Sequence, residues 1–419
     1  MGMKELTTGV RCAASGLMLA AALIAPPSWA GESVQVMHWW TSGSEAAAVA
    51  KFKEALSAQG VQWKDVAVGG GDNERMLLKA RFVKGDPPDA AQVTADALTY
   101  AANPGSLVDL TAVAEKGKWD AALPEVVRRY AKLSGKNYVV VPVNVHRQNM
   151  MWISSQGLKR IGASAPPKTW GEFFAMADKA RAAGMVPLAM AEDTWVNFMF
   201  MQVAYSTMQP DAYRKAFYQS DAAALSGAGM VKAFEIMRRL HGYADRGASS
   251  RKWNEATQMV IRGKAFAQVM GDWAKGEFTV AGKKPNVDYF CAALPGTSDG
   301  YQFNSDGFMF FAHGGERSGQ LTLAEVLMDP NAQSAFSLVK GSVPVRTDAD
   351  VSRFDACGKQ SYSDYLSAGK SGSLTAAPQM LQTPARIAAW RDTVLGFWYD
   401  DSMTPQQAAQ RMATAVKAN

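Results

Sequence analysis

Between residues 34 and 93 the chain repeats one unit, a short apolar run followed by a polar turn and a stretch of helical period, and no other feature narrows its fold as much. Val34-Gln35-Val36-Met37-His38-Trp39-Trp40 reads as a strand, Thr41-Ser42-Gly43-Ser44 as a turn, and Glu45 to Ala58 as a helix that stops at Gly60. The unit recurs in Val61–Val68 and Asn73–Lys84, and another buried strand, Asp89–Val93, follows Pro87-Pro88. Strands that alternate with helices are the building unit of an α/β layer, so the first part of the chain is predicted to be α/β.

The run Lys136–Ile153 is rich in β-branched and aromatic residues and is expected to form strands passing from one lobe to the next. Beyond it the pattern turns helical. Thr169 and Glu172 form a capping box that opens a helix ending at Gly184, and further helices are expected over Asn197–Thr207, Gly229–His241 and Trp253–Gly263. Val269 and Val287–Cys291 lie in short strand candidates, and a last helix begins at Thr404-Pro405 with Gln407 three residues after the cap. A chain of 419 residues exceeds what one hydrophobic core serves. With no long polar linker and no repeat, two lobes joined by short crossovers are expected: residues 31–143 plus about 304–346 in lobe 1, and about 144–303 plus 347–419 in a helix-rich lobe 2.

Residues 1–30 read as an export signal. Lys4 and Arg11 precede the apolar run Ala13–Ile24, which is too short to span a bilayer; Pro26-Pro27 break it, and Ser28-Trp29-Ala30 sets small residues before a cut near Gly31. Cys12 stands before the apolar run and is badly placed for lipid attachment. Cleavage leaves Cys291 and Cys357, for which one disulfide is the simple reading and two separate buried thiols the alternative. The net charge is +6, but basic residues never run longer than pairs such as Arg128-Arg129, so a nucleic-acid partner is not expected.

Motifs for chemistry are weak. Gly296-Thr297-Ser298-Asp299-Gly300 has the spacing of a nucleophile elbow, but a strand-like run follows where a helix is required. Gly369-Lys370-Ser371 lacks the earlier glycine of a phosphate loop, and Gly69-Gly70-Gly71 lacks the later glycine of a dinucleotide fingerprint. His38, His146, His241 and His313 are scattered without metal-ligand spacing, so no metal or cofactor is expected. A secreted glycan-cleaving enzyme stays open as an alternative, because a carboxylate pair is defined by a separation in space.

Twelve tryptophans are the compositional excess, several beside hydrogen-bonding groups: Trp39-Trp40 near Ser42, Ser44 and Glu45, Trp195 near Glu192 and Asp193, and Asp272-Trp273. Sugars carry apolar C–H faces and polar rims, and flat rings flanked by such groups suit them. Core packing is the competing use of the same rings.

Five stretches then identify a resemblance: Trp39-Trp40-Thr41-Ser42-Gly43-Ser44-Glu45, Val141–Arg147, Gly271-Asp272-Trp273-Ala274, Asn304-Ser305-Asp306 and Lys340–Arg346. In this order they resemble the extracellular solute-binding proteins of carbohydrate ABC transporters, and within them the glucose-binding branch of proteobacteria. The resemblance implies a two-lobed periplasmic α/β clamp with a central ligand cleft, monomeric, delivering a small sugar to the membrane subunits of an ABC importer without catalysis. It implies that Trp39 and Trp40 line the cleft, Glu45 accepts sugar hydroxyls, Trp273 stacks, and Asn304, Asp306 and Lys340 bond the rim. Glu45 has a rival local role, since Ser42-x-x-Glu45 is also a capping box. Two positions depart from the glucose binders: Gln92-Val93-Thr94-Ala95-Asp96 has no lysine after the strand, and Gln379 stands where they carry histidine. Thr94, Asp96 and Gln379 complete the candidate site; the resemblance implies glucose or a related hexose as the leading ligand, and the changed chemistry at Thr94 and Gln379 leaves another hexose, a disaccharide or larger glycan, or a polyol as the alternatives.

Overall fold

The computed structural model describes residues 32–415, apart from residues 95, 96, 104, 134, 209 and 313–316. The proposed export signal, Cys12, Asp96 and His313 therefore lie outside the described residues. Among the described residues no helix is long and apolar enough to cross a membrane.

The described residues form thirteen strands in the order β1 (Ser33–His38), β2 (Gln62–Ala67), β3 (Ala90–Val93), β4 (Val140–Pro142), β5 (Asn144–Arg147), β6 (Met150–Ser154), β7 (Val186–Leu188), β8 (Ala265–Val269), β9 (Tyr289–Ala293), β10 (Tyr301–Asn304), β11 (Gly307–Phe310), β12 (Val343–Pro344) and β13 (Leu374–Ala376). They form three sheets, ordered β2-β1-β3-β11-β4, β12-β5-β10-β13 and β7-β8-β6-β9. The repeated unit of the sequence is the parallel part of the first sheet: β1 pairs in parallel with both β2 and β3. The helix Gly43–Ser57 connects β1 to β2, and Gly71–Lys84 connects β2 to β3. β11 and β4 then add antiparallel.

Two hydrophobic cores result, as the two-lobed α/β expectation requires. One gathers Val34, Phe52, Val140, Phe308 and Phe336 around the first two sheets. The other gathers Trp152, Phe173, Phe200, Phe266 and Trp390 around the third. The chain passes between them at Arg147–Met150, where β5 of one core runs into β6 of the other, and returns between Leu294 and Tyr301.

One boundary differs from expectation. Residues 347–419 were expected together in the second lobe, but Tyr362, Tyr365, Leu374, Ala376 and Met380 pack in the first core. The cause is pairing: β13 adds parallel to β10, and the Tyr362 and Tyr365 hydroxyls each donate at 2.8 Å to the carbonyls of Arg346 and Val345. Among the described residues of this segment, Cys357 and the C-terminal helices Pro384–Tyr399 and Pro405–Ala415 pack in the second core.

Cys291 and Cys357 form a disulfide with Cα atoms 6.3 Å apart. It joins β9, on the edge of the third sheet, to the first turn of the helix Ala356–Ser371, whose later turns carry Tyr362 and Tyr365 into the first core. A bridge spanning 66 residues acts mainly on the unfolded chain. Cys291→Ser with Cys357→Ser is expected to cost about 2–4 kcal/mol in urea unfolding. Peptide mapping of the unreduced protein that finds two free thiols would overturn the pairing.

Candidate functional site

Ser42 caps the helix Gly43–Ser57, and Glu45 closes the capping box, so both roles weighed for Glu45 can be inspected. Its Oε2 accepts the backbone N–H groups of Thr41 and Ser42, each at 3.1 Å. Its Oε1 faces Lys340 Nζ at 3.1 Å, and both side chains are buried. One carboxylate therefore serves the helix start and also neutralises the cation at the C-terminal end of the helix Pro330–Lys340.

Trp39 and Trp40 part company. Trp39 is half-buried, its backbone N–H donates to Gln92 Oε1 at 3.2 Å, and the Arg75 guanidinium lies 5.9 Å from its ring centre. Trp40 is only 1% exposed and packs against Phe336 at 4.9 Å and Phe308 at 5.5 Å between ring centres. Its ring is part of the first core, which corrects the expectation of an open aromatic face. Both tryptophans lie just past the end of β1, and only the second turns its ring into the core.

From Gln92 the contacts continue inward. Gln92 Nε2 donates to Asp306 Oδ1 at 3.1 Å, and Asn144 Nδ2 donates to Asp306 Oδ2 at 3.0 Å. His146 Nε2 also lies 3.1 Å from Asp306 Oδ2, while its Nδ1 bonds Asp272. Asp272 is held by the backbone N–H of Arg147 at 2.8 Å. Burial raises the Asp306 pKa, but the His146 ring, Lys340 and Asn144 outweigh it and hold the carboxyl below its ordinary range. The next residue after Asp272 is Trp273, whose indole meets the His146 ring edge-on at 5.1 Å. Trp273 in turn touches Phe198 at 5.4 Å and Trp195 at 5.9 Å, both from the helix Asp193–Thr207, and Trp195 touches Trp253 at 6.3 Å.

Backbones of the two cores meet closely here. Gly341, at φ +94°, would place a Cβ 2.6 Å from the Asp272 carbonyl oxygen and 2.8 Å from the Gly276 nitrogen, so both the conformation and the space require glycine. Beside it Ser44 Oγ donates to Glu277 Oε1 at 2.7 Å.

Asn304 pairs across the strands with His146, which sets the two side chains on one face. Asn304 Oδ1 and Trp273 Nε1 are buried polar atoms without a hydrogen-bond partner among the described residues. Buried polar atoms are nearly always paired, so these two mark groups available to a ligand. Thr94 is half-buried just past the end of β3. Gln379 sits in the short turn Pro378–Met380 and is bonded to none of the other candidates among the described residues.

The structure thus links Trp39, Glu45, Asp306 and Lys340 on the first core to Trp273 on the second. It adds Gln92, Asn144, His146 and Asp272, whose partners are too far away in sequence to be seen there; only the presence of Asn144, His146 and Asp272 inside the five motifs, and of Gln92 at the head of the departing stretch Gln92–Asp96, hinted at them. No group of three or more His, Cys, Asp or Glu side chains among the described residues is arranged to hold a metal ion. The elbow-like Ser298 is followed by β10, not by a helix, so it lacks the geometry of a nucleophile.

Comparison with known proteins gives a consistent result. The family described as bacterial extracellular solute-binding protein matches residues 40–327. A probable sugar-binding periplasmic protein of Mesorhizobium japonicum is 41% identical over 391 residues, covering 92% of this chain and 93% of its own. One of the same description from Rhizobium meliloti is 38% identical, covering 97% and 98%. Among solved structures, the bacterial solute receptor AcbH, described with an exclusive preference for β-D-galactopyranose, superposes with a TM-score of 0.77. It covers 93% of this chain and 98% of its own, at an 18% identity that speaks to fold alone.

Proposed function

Since this chain belongs to the family of bacterial extracellular solute-binding proteins, non-enzymatic carriers, we propose that it is a periplasmic sugar receptor that closes on a monosaccharide and delivers it to an ABC importer. Glucose or a related hexose is the first candidate. The observation that carries the reading is the line of contacts from Trp39 through Gln92, Asp306 and His146 to Trp273, which joins aromatic faces on two cores through a dense row of donors and acceptors. Trp39 and Trp273 offer apolar faces to a sugar ring, while Asp306, Asn304 and Lys340 offer polar atoms to its hydroxyls. Glu45 orients Lys340. Closure of the lobes removes water and strengthens each of these bonds. Export by the N-terminal signal, a monomeric state and docking on importer membrane subunits belong to the same proposal, as do ligand contacts from Thr94, Asp96, Gln379 and the Trp40 indole N–H.

A second reading, a disaccharide, a polyol or another non-glucose ligand on the same clamp, is favoured by one observation. The aromatic surface does not end at Trp273 but continues through Trp195 to the half-buried Trp253, enough for more than one ring.

A thermal-shift screen of the mature protein against monosaccharides, disaccharides, polyols and sugar acids separates the two readings. A ligand at a hundred times its dissociation constant adds about 2.7 kcal/mol to stability. A shift with glucose, galactose or mannose alone supports the first reading, and a shift confined to longer glycans or polyols supports the second. No shift with any carbohydrate overturns the sugar assignment.

A further inference from the structure

His146 is buried between two carboxylates that arrive from different cores. Asp272 follows β8 in the second, and Asp306 sits in the turn between β10 and β11 in the first. Neither carboxylate is free to turn away. Arg147 N–H holds the other oxygen of Asp272 at 2.8 Å, and Gln92 and Asn144 hold the two oxygens of Asp306 at 3.1 and 3.0 Å. The remaining charges nearby are accounted for: Lys340, which acts on Asp306, is paired with Glu45 at 3.1 Å, and the Arg147 guanidinium bonds Asp364 at 2.6 Å.

We propose that His146 is a positioning residue: its doubly protonated ring holds the Asp306 carboxylate and the Trp273 indole in register, so that ligand affinity follows the charge of a side chain that bonds only protein groups. The proposal rests on the sugar-receptor reading. Two carboxylates facing a neutral ring away from water would be left poorly compensated, and an imidazolium with both N–H groups donating satisfies them together. Asn144 Nδ2, 3.0 Å from His146 Nε2, then donates to the same Asp306 oxygen as the ring does. Burial pulls the histidine pKa down, but Asp272 and then Asp306 outweigh it and keep the ring charged above its ordinary range. The ring stands perpendicular to the Trp273 indole, 5.1 Å between centres, so it packs directly against that side chain.

The sign of the pH dependence follows. A folded-state pKa raised above the ordinary value of about 6.5 gives a contribution that is complete below that value and lost as pH rises through the folded-state one. That contribution is to stability; because the charged ring is the group that positions Asp306 and Trp273, binding should weaken over the same alkaline range.

The test follows three quantities in the mature protein from about pH 5.5 to about pH 9.5. These are the His146 ring ¹⁵N resonances, the Trp273 indole N–H resonance assigned with Trp273→Phe, and the calorimetric Kd for D-glucose. The expected result is one ring titration above the ordinary value, with the indole resonance moving at the same midpoint and affinity falling at least ~10-fold across it. His146→Gln is expected to bind at least ~10-fold more weakly at low pH and to lack the alkaline loss. A ring that is neutral at neutral pH overturns the proposal, and so does an indole resonance or a Kd that stays flat through the ring's titration. If His146→Gln does not fold, the wild-type titration decides alone. The ring and indole signals need no ligand, so failure to bind glucose at any pH counts against glucose as the ligand while those two signals still decide this proposal.

Discussion

Lys340→Met is expected to abolish ligand binding and to lower stability by about 3–5 kcal/mol, the usual cost of removing one member of a buried ion pair. Lys340 is 3% exposed and faces Glu45 Oε1 at 3.1 Å, so the substitution strands a carboxylate oxygen away from water. The other oxygen keeps the N–H groups of Thr41 and Ser42, which should hold the helix start in place. Adding Glu45→Gln to Lys340→Met removes the stranded charge, and most of the lost stability should return while binding does not. Urea unfolding and calorimetric titration with the ligand found in the screen read the two effects separately. Undiminished affinity in Lys340→Met would remove this lysine from the site.

Trp40→Ala is expected to destabilise by about 3–5 kcal/mol, because it empties a large ring from a packed core. His38, Phe308 and Phe336 all contact that ring, and its neighbours do not close over a cavity of that size without shifting β1. The loss is read from the urea transition of the variant, with Trp39→Ala as the comparison. Trp39 is half-buried and pairs with Arg75, so Trp39→Ala should weaken binding while changing stability by about 1 kcal/mol or less. Equal stability losses in the two variants would contradict the division of labour between the adjacent rings.

Much of the architecture was legible because it is written in local pattern. β1 and the capped helix Gly43–Ser57 follow from an apolar run next to Ser42-x-x-Glu45, and Thr169 with Glu172 starts the helix Trp170–Ala182 as expected. Some ends shifted: the helix expected from Asn197 begins at Asp193, and the strand expected over 287–291 is Tyr289–Ala293. Such ends depend on pairing and capping partners, and β9 takes its register from β6.

The candidate site was legible as residue types and less so as roles. Trp39, Trp273, Asp306, Lys340 and Glu45 stand out as motif residues, but Asp272 and Asp306 reach His146 across 126 and 160 positions of chain. No local pattern encodes a contact of that separation. Sequence by itself determined the two-lobed α/β class and the residue chemistry of the motifs, because hydrophobic period and capping act over a few residues. Tertiary structure alone decided that Trp40 enters the core while its neighbour does not, that one Glu45 carboxylate serves both a helix and a lysine, and that His146 lies between two acids. Each of those outcomes depends on which distant strands and helices pack together, and that is fixed by burial over the whole fold.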